Sequence, residues 1–170
     1  MADPSSIWRS NYLHPSPWDV TYGPMSIPAM FDASVAAHPG APLIDFFGRK
    51  FSYAEVANGV DRVAAGLLRL GVKKGDRIGL FLPNVPHYVA AYYGAMKIGA
   101  TIVNFSPLYT VDELAYQVED SGTKMLFTLT AKALLPTALK VMEHTGLERL
   151  VVGSVEGALP RGKSLYYHWF

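Results

Sequence analysis

The sequence predicts an α/β fold: a parallel sheet with helices on both faces, preceded by an extended arm and a β-hairpin. Three observations predict it. From residue 77 onward, strand-like and helix-like segments alternate without a break. The helix-like segments carry start and stop signals, Ser/Thr-x-x-Glu capping boxes at the front and glycines at the back. The strand-like segments are short and apolar, as strands covered on both faces must be. Such a β-α-β series winds right-handed and gives a parallel sheet.

Residues 1–42 read as the arm. They hold Pro4, Pro15, Pro17, Pro24, Pro28, Pro39 and Pro42, with Trp8, Tyr12, Trp18 and Tyr22 between them. Disordered tails are poor in aromatics, so the arm is expected to lie on a folded surface. One helix is expected over residues 26–37, with Ile27, Met30, Phe31 and Val35 as its apolar stripe. Residues 43–47 and 51–53 read as the hairpin strands, with Gly48-Arg49-Lys50 as the turn. Ser52-Tyr53-Ala54-Glu55 is a capping box, and the helix behind it carries Val56, Val60, Val63, Leu67 and Leu70 at helical spacing. Gly71 closes it.

The alternating part follows. Residues 77–82 form a strand, 86–98 a helix closed by Gly99, and 101–105 a strand. A second capping box, Thr110-Val111-Asp112-Glu113, opens a helix that stops at Ser121-Gly122. Residues 124–129 form a strand, 131–144 a helix and 147–155 a strand. Pro136 fits that helix only in its first turn or at a kink. The organisation is therefore an arm (1–42), an α/β unit (43–155) and a loop with a following segment (156–170).

Composition narrows the function. Of 170 residues, 50% are hydrophobic and only 17% charged, which points to a surface covered by further protein. Lys+Arg 15 against Asp+Glu 14 leaves a net charge of +1, with no basic footprint for nucleic acid. With no cysteine, disulfides, thiolate metal sites and a Cys nucleophile are excluded. The first eleven residues lack the apolar run of a signal peptide. Residues 78–96 hold no Asp, Glu, Lys or Arg, yet Pro83, Asn84, Pro86 and His87 break them into a strand and a helix.

Gly157-Ala158-Leu159-Pro160-Arg161-Gly162-Lys163-Ser164 fits the phosphate-loop pattern G-x-x-x-x-G-K-[ST]. It reads as an ordinary Gly/Pro loop, because Pro160 removes an N–H from the cradle and an aromatic run follows instead of a long helix. His14, His38, His87, His144 and His168 are scattered, and His87 reads as a packing or capping residue. Tyr88, Tyr92, Tyr93 and Met96 form a helical stripe that reads as core, with the wall of an apolar ligand tunnel as the other reading. No G-x-S-x-G elbow and no G-x-G-x-x-G fingerprint occurs.

Ligands of open α/β sheets sit beyond the carboxyl ends of the strands. The residues expected there are Asn84, Asn104, Ser106 and Pro107, as lining of a cleft. Asn84 also reads as a helix N-cap, and Asn104 has no local partner in the sequence. No catalytic residue, cofactor-binding residue or metal ligand is assigned in this chain.

The order of motifs resembles the acyl-adenylate-forming, AMP-binding enzymes. The segments that carry the resemblance are Gly48-Arg49-Lys50-Phe51-Ser52-Tyr53-Ala54-Glu55-Val56, Gly75-Asp76-Arg77-Ile78 with Pro83-Asn84, and Lys97-Ile98-Gly99-Ala100. Asn104-Phe105-Ser106-Pro107-Leu108-Tyr109-Thr110, with Glu113-Leu114, Gln117-Val118 and Asp120-Ser121-Gly122, is most similar to the long-chain fatty acyl-CoA ligases. Ser106 and Thr123 depart mildly from their pattern, which has Asn and Ala there.

The resemblance implies an N-terminal portion of a ligase that makes acyl-CoA, AMP and pyrophosphate from a fatty acid, ATP and coenzyme A. ATP, Mg²⁺ and coenzyme A would serve the whole enzyme, and none is expected to bind this chain tightly. The ATP-clamping strings of the family do not occur here, so the chain alone is expected to fold and to be inactive. The implied partners are the remainder of the ligase N-terminal domain and its C-terminal domain. A homodimer, a cytoplasmic location and peripheral contact with the inner face of a membrane are implied too. Two alternatives stay open: an aryl- or medium-chain-CoA ligase or other adenylation enzyme, and a stand-alone α/β binding or interaction module.

Overall fold

The computed structural model describes residues 5–160. Helix α1 (Ser5–Ser10) and the turns after it form the arm, and α2 (Ile27–Ala37) ends it. The arm does not lie on the folded surface as expected. Trp8, Tyr12, Trp18 and Tyr22 are exposed, and Tyr12 packs locally, edge-on, against Trp18. Only α2 docks. Ser26 caps it, accepting from the Ala29 N–H. Phe31 is buried and stacks on Tyr93 with ring centroids 4.3 Å apart, while Ile27 and Met30 stay exposed.

The hairpin pairs β1 (Pro42–Phe46) with β2 (Arg49–Ser52). Its turn is Phe47-Gly48 rather than Gly48-Arg49-Lys50. Both turn residues have positive φ, 53° and 90°, as a two-residue type I′ connection requires. The Asp45 carboxylate accepts the Gly48 N–H at 3.0 Å, which holds the tight form. Arg49 and Lys50 therefore belong to the strand.

Helix α3 (Tyr53–Arg69) starts with both halves of its capping box formed. It buries Val56, Val60, Ala64 and Leu67. Leu70, expected on that stripe, is 47% exposed because it lies one residue past the last turn. Gly71 (φ 81°) follows, with its N–H on the Leu68 carbonyl and the Val72 N–H on Leu67, a Schellman close.

The remaining elements are β3 (Arg77–Phe81), α4 (Pro86–Lys97), β4 (Thr101–Phe105), α5 (Val111–Ser121), β5 (Met125–Leu129), α6 (Leu135–His144) and β6 (Arg149–Gly153). Helix α6 begins four residues later than expected, which puts Pro136 in its first turn, where its missing N–H costs nothing. The strands form one parallel sheet in the order β4-β3-β5-β6. Among the described residues, β4 and β6 pair on one side only.

The chain leaves β3 toward β4, then crosses back over β3 to β5 and on to β6. Right-handed crossovers in opposite directions put helices on opposite faces. Helices α3 and α4 pack together on one face, and α5 and α6 on the other. The core lies on both sides of the sheet. Leu80 and Phe127 fill the α3–α4 face; Phe81, Phe105 and Leu126 fill the other.

Two tight spots fix the layers. Gly94 brings α4 onto α3: a Cβ there would stand 2.8 Å from Val63 and 2.9 Å from the Val60 carbonyl oxygen. At the amino end of β3, Asp76 accepts the Lys73 N–H at 2.7 Å. The neighbouring Arg77 lies over the carboxyl end of α5, where a Gly122 Cβ would stand 2.7 Å from its Nη1. Gly75-Asp76-Arg77 is thus a structural device that shapes the turn into β3 and places a cation at a helix C-terminus.

Candidate functional site

The winding direction reverses between β3 and β5, and sheets of this topology meet their ligands at the carboxyl ends of such strands. Of the four residues expected there, three come from the neighbouring edge strand β4 and the turn after it. Asn104, near the end of β4, accepts a hydrogen bond from the Tyr88 hydroxyl on α4 at 2.8 Å. That is the partner the sequence did not reveal. Ser106 and Pro107 follow. The Ser106 hydroxyl accepts the Leu108 N–H at 3.3 Å, and its carbonyl accepts the Tyr109 N–H at 3.1 Å. This turn delivers the chain to Thr110, whose capping box with Glu113 opens α5.

Asn84 is exposed in the turn after β3 and does not cap α4. The cap position is Val85, which has no side-chain bond to the helix. Pro86 at the first helical position makes a cap less necessary, since one orphan N–H is already gone. Asn84 and Asn104 thus stand at the ends of adjacent strands, and no described contact joins them.

The tyrosine stripe of α4 splits. Tyr88 and Tyr92 stack at 6.1 Å and pack on the sheet core, while Tyr93 turns to Phe31 and the hairpin side. Burial and Tyr92 push the Tyr88 hydroxyl pKa up, so it stays a protonated donor to Asn104.

His87 is a packing residue, as the sequence reading expects. It sits in the first turn of α4, and a Cβ on Gly153 would stand 3.1 Å from its ring. Its Nδ1 is buried without a hydrogen-bond partner among the described residues. Desolvation lowers its pKa, which keeps the imidazole neutral. The only sequence signal was its place at a strand-to-helix turn, because the burial comes from β6, far along the chain. Thr128 Oγ1 is also buried and unpartnered, but it faces α5 and α6.

The loop after β6 forms a short 3₁₀ turn, Val155–Ala158. Arg49 holds it, donating to the Gly157 carbonyl at 2.6 Å while lying 4.4 Å from the Phe51 ring centroid. Arg161, Gly162, Lys163 and Ser164 of the phosphate-loop pattern, and the aromatic run after them, lie outside the described residues. No three His, Asp or Glu side chains among the described residues converge to hold a metal ion. Among the described residues, no helix is long and apolar enough to cross a membrane.

A parallel sheet wound in both directions from β3, with helices on both faces, defines a doubly wound α/β unit. The chain belongs to the AMP-binding enzyme family, whose pattern matches residues 31–165. It is 31% identical to a long-chain-fatty-acid–CoA ligase of Bacillus subtilis over 94% of its length, and spans 28% of that protein. It is 40% identical to a 4-coumarate–CoA ligase of Humulus lupulus, over 71% of its length and 21% of that protein. The crystal structure of a long-chain-fatty-acid–CoA ligase from Archaeoglobus fulgidus superposes with a TM-score of 0.71 at 25% identity, covering 82% of this chain and 30% of that one.

Proposed function

We propose that this chain is the amino-terminal portion of a long-chain fatty acid–CoA ligase. In that reaction a fatty carboxylate attacks the α-phosphorus of ATP, releasing pyrophosphate. The thiol of coenzyme A then attacks the acyl carbon, releasing AMP. Residues 43–155 are assigned to its N-terminal subdomain, with 1–42 as an arm and 156–170 as the segment leading on. The remaining ligase domains, ATP, Mg²⁺ and coenzyme A belong to the same reading. So do a homodimer and a cytoplasmic location in contact with the inner face of a membrane.

The observation that carries the reading is the match to the Bacillus subtilis long-chain ligase along 94% of the chain. The turn at Ser106 and Pro107 supports it, because it stands where sheets of this kind meet their ligands. A second reading, an aryl-CoA ligase, is favoured by the 40% identity to the Humulus lupulus enzyme, although over only 71% of the chain. The longer match, over 94% of the chain against 71%, favours the long-chain reading.

The test is a chimera in which this chain replaces the matching segment of the Bacillus subtilis ligase. A folded chimera that forms palmitoyl-CoA faster than coumaroyl-CoA supports the long-chain reading. The reverse order selects the aryl reading. The chain by itself, given palmitate, ATP, Mg²⁺ and coenzyme A, is expected to form no acyl-CoA.

A further inference from the structure

The arm carries a run of exposed apolar residues that neither the fold nor the site accounts for. Ile7, Trp8, Leu13, Trp18, Tyr22 and Met25 all stand in solvent. The hydrogen bonds and ring contacts described for residues 7–25 stay inside the arm. Ser10 and Asn11 bond back to the Ile7 carbonyl, and Tyr12 packs on His14 and Trp18. Docking starts only at α2, where Phe31 stacks on Tyr93 and Asp32 pairs with Lys97 at 3.5 Å. Single exposed apolar side chains are ordinary, but a continuous run of them marks a surface that meets something.

Three features of the arm say what it meets. Its charge is nil: Arg9 and Asp19 cancel, and no other Asp, Glu, Lys or Arg lies within residues 5–26. Four of its large side chains are Trp or Tyr, whose rings carry a polar tip and settle at the headgroup level of a bilayer. Residues 13–26 form no helix or strand, and Pro15, Pro17 and Pro24 keep them from doing so. Unpaired N–H and C=O groups need water, which bars this backbone from the hydrocarbon and leaves the wet headgroup layer open to it.

We propose that residues 7–25 are an interfacial anchor that lays the chain on a lipid surface, with Trp8, Trp18 and Tyr22 at headgroup depth. The anchor works by partition of rings and not by charge, so it does not select anionic lipid. A long acyl chain gains preference for a bilayer with every methylene, so an enzyme of such chains meets them there. This deepens the ligase reading, on which it rests for the membrane, by naming the segment in contact.

The test adds vesicles of pure phosphatidylcholine to the chain carrying Trp169→Phe, which leaves Trp8 and Trp18 as the reporters. Co-sedimentation with the vesicles and a blue shift of tryptophan emission are expected. The affinity is expected to be the same when half the lipid is phosphatidylglycerol and when salt is raised. Trp8→Ser and Trp18→Ser are each expected to weaken co-sedimentation by about tenfold with unchanged circular dichroism. Tyr116→Ser, on α5, is expected to leave it unchanged, although Tyr116 and Trp8 are equally exposed at 68%. Absent binding, or equal losses in Tyr116→Ser and Trp8→Ser, overturns the proposal. So does binding that needs phosphatidylglycerol or vanishes in salt, which assigns the contact to cationic side chains elsewhere. A blue shift that grows with protein concentration in the absence of lipid places the arm on a second copy and overturns it as well. Emission already blue in the chimera, with no vesicle binding, places the arm on the rest of the ligase and does the same. An active chimera that binds no vesicle defeats this inference alone; vesicle binding with an inactive folded chimera defeats only the ligase reading.

Discussion

The Tyr88 hydroxyl donates to Asn104 Oδ1 at 2.8 Å, tying α4 to the outer strand of the sheet. The bond also fixes the Asn104 carboxamide, leaving its NH₂ group for other acceptors. Tyr88→Phe keeps the ring stack on Tyr92 and removes only the hydroxyl. It is expected to lower stability by about 0.5–1.5 kcal/mol, measured by urea unfolding. An unchanged midpoint would show that water replaces the tyrosine without loss.

Helix contact gives the sharpest contrast. Gly94→Ala puts a methyl 2.8 Å from Val63 and 2.9 Å from a backbone oxygen, so α3 and α4 must separate. A loss of about 1–3 kcal/mol is expected. At Gly59 the added methyl meets only Ala90, at an ordinary 3.5 Å. Gly59→Ala is therefore expected to be neutral or to stabilise, by up to about 1 kcal/mol of helix propensity. Equal effects at the two sites would refute the close-packing account.

The two capping boxes are legible in the sequence because their chemistry is local. Backbone and side-chain hydrogen bonds from Ser52 hold the Glu55 pKa below its usual value, and Thr110 does the same for Glu113. A carboxylate with a depressed folded pKa contributes stability that is complete above its unfolded pKa. That stability fades as pH falls through the folded value. The melting temperature is therefore expected to drop below about pH 5, and to drop less in the double variant Glu55→Gln/Glu113→Gln. Ser52→Ala is expected to cost about 1 kcal/mol at neutral pH.

Phe47 holds a left-handed backbone at φ 53°, a conformation that suits Asn or Gly. Its ring is 63% exposed and touches Phe46 edge-on at 4.8 Å. Phe47→Asn is expected to raise stability by about 0.5–1 kcal/mol, relief of strain outweighing the exposed ring contact. Calorimetry of the variant decides it, and a lower melting temperature would show that the ring pair matters more.

What the sequence conveyed was whatever lies within one turn of the chain. Thr101–Phe105 was placed to the residue, and Gly71, Gly99 and Gly122 all adopt the positive φ that closes their helices. The hairpin turn was misplaced because Phe47 gives no hint that it accepts a conformation meant for glycine. The start of α6 was misjudged because Ala131 and Lys132 are good helix formers held in a turn. The site was less legible. Asn104 was singled out by position, but its partner lies on another element. The burial of His87 depends on Gly153, whose missing side chain makes room for the imidazole ring.

The outer sides of β4 and β6 carry a consequence for handling and for assembly. Each presents a row of main-chain N–H and C=O groups that no described strand occupies. Such rows are templates. A polypeptide that extends the sheet would pair with Ile102 and Asn104 on β4 or with Leu150 and Val152 on β6, because the Thr101 and Arg149 N–H groups are donated inward, to Asp76 and Lys124. Two copies at high concentration find the same invitation, and would join margin to margin into short ribbons. Light scattering that grows with concentration, and is suppressed by Ile102→Pro, whose lost N–H faces away from β3, would reveal a sheet margin open to pairing.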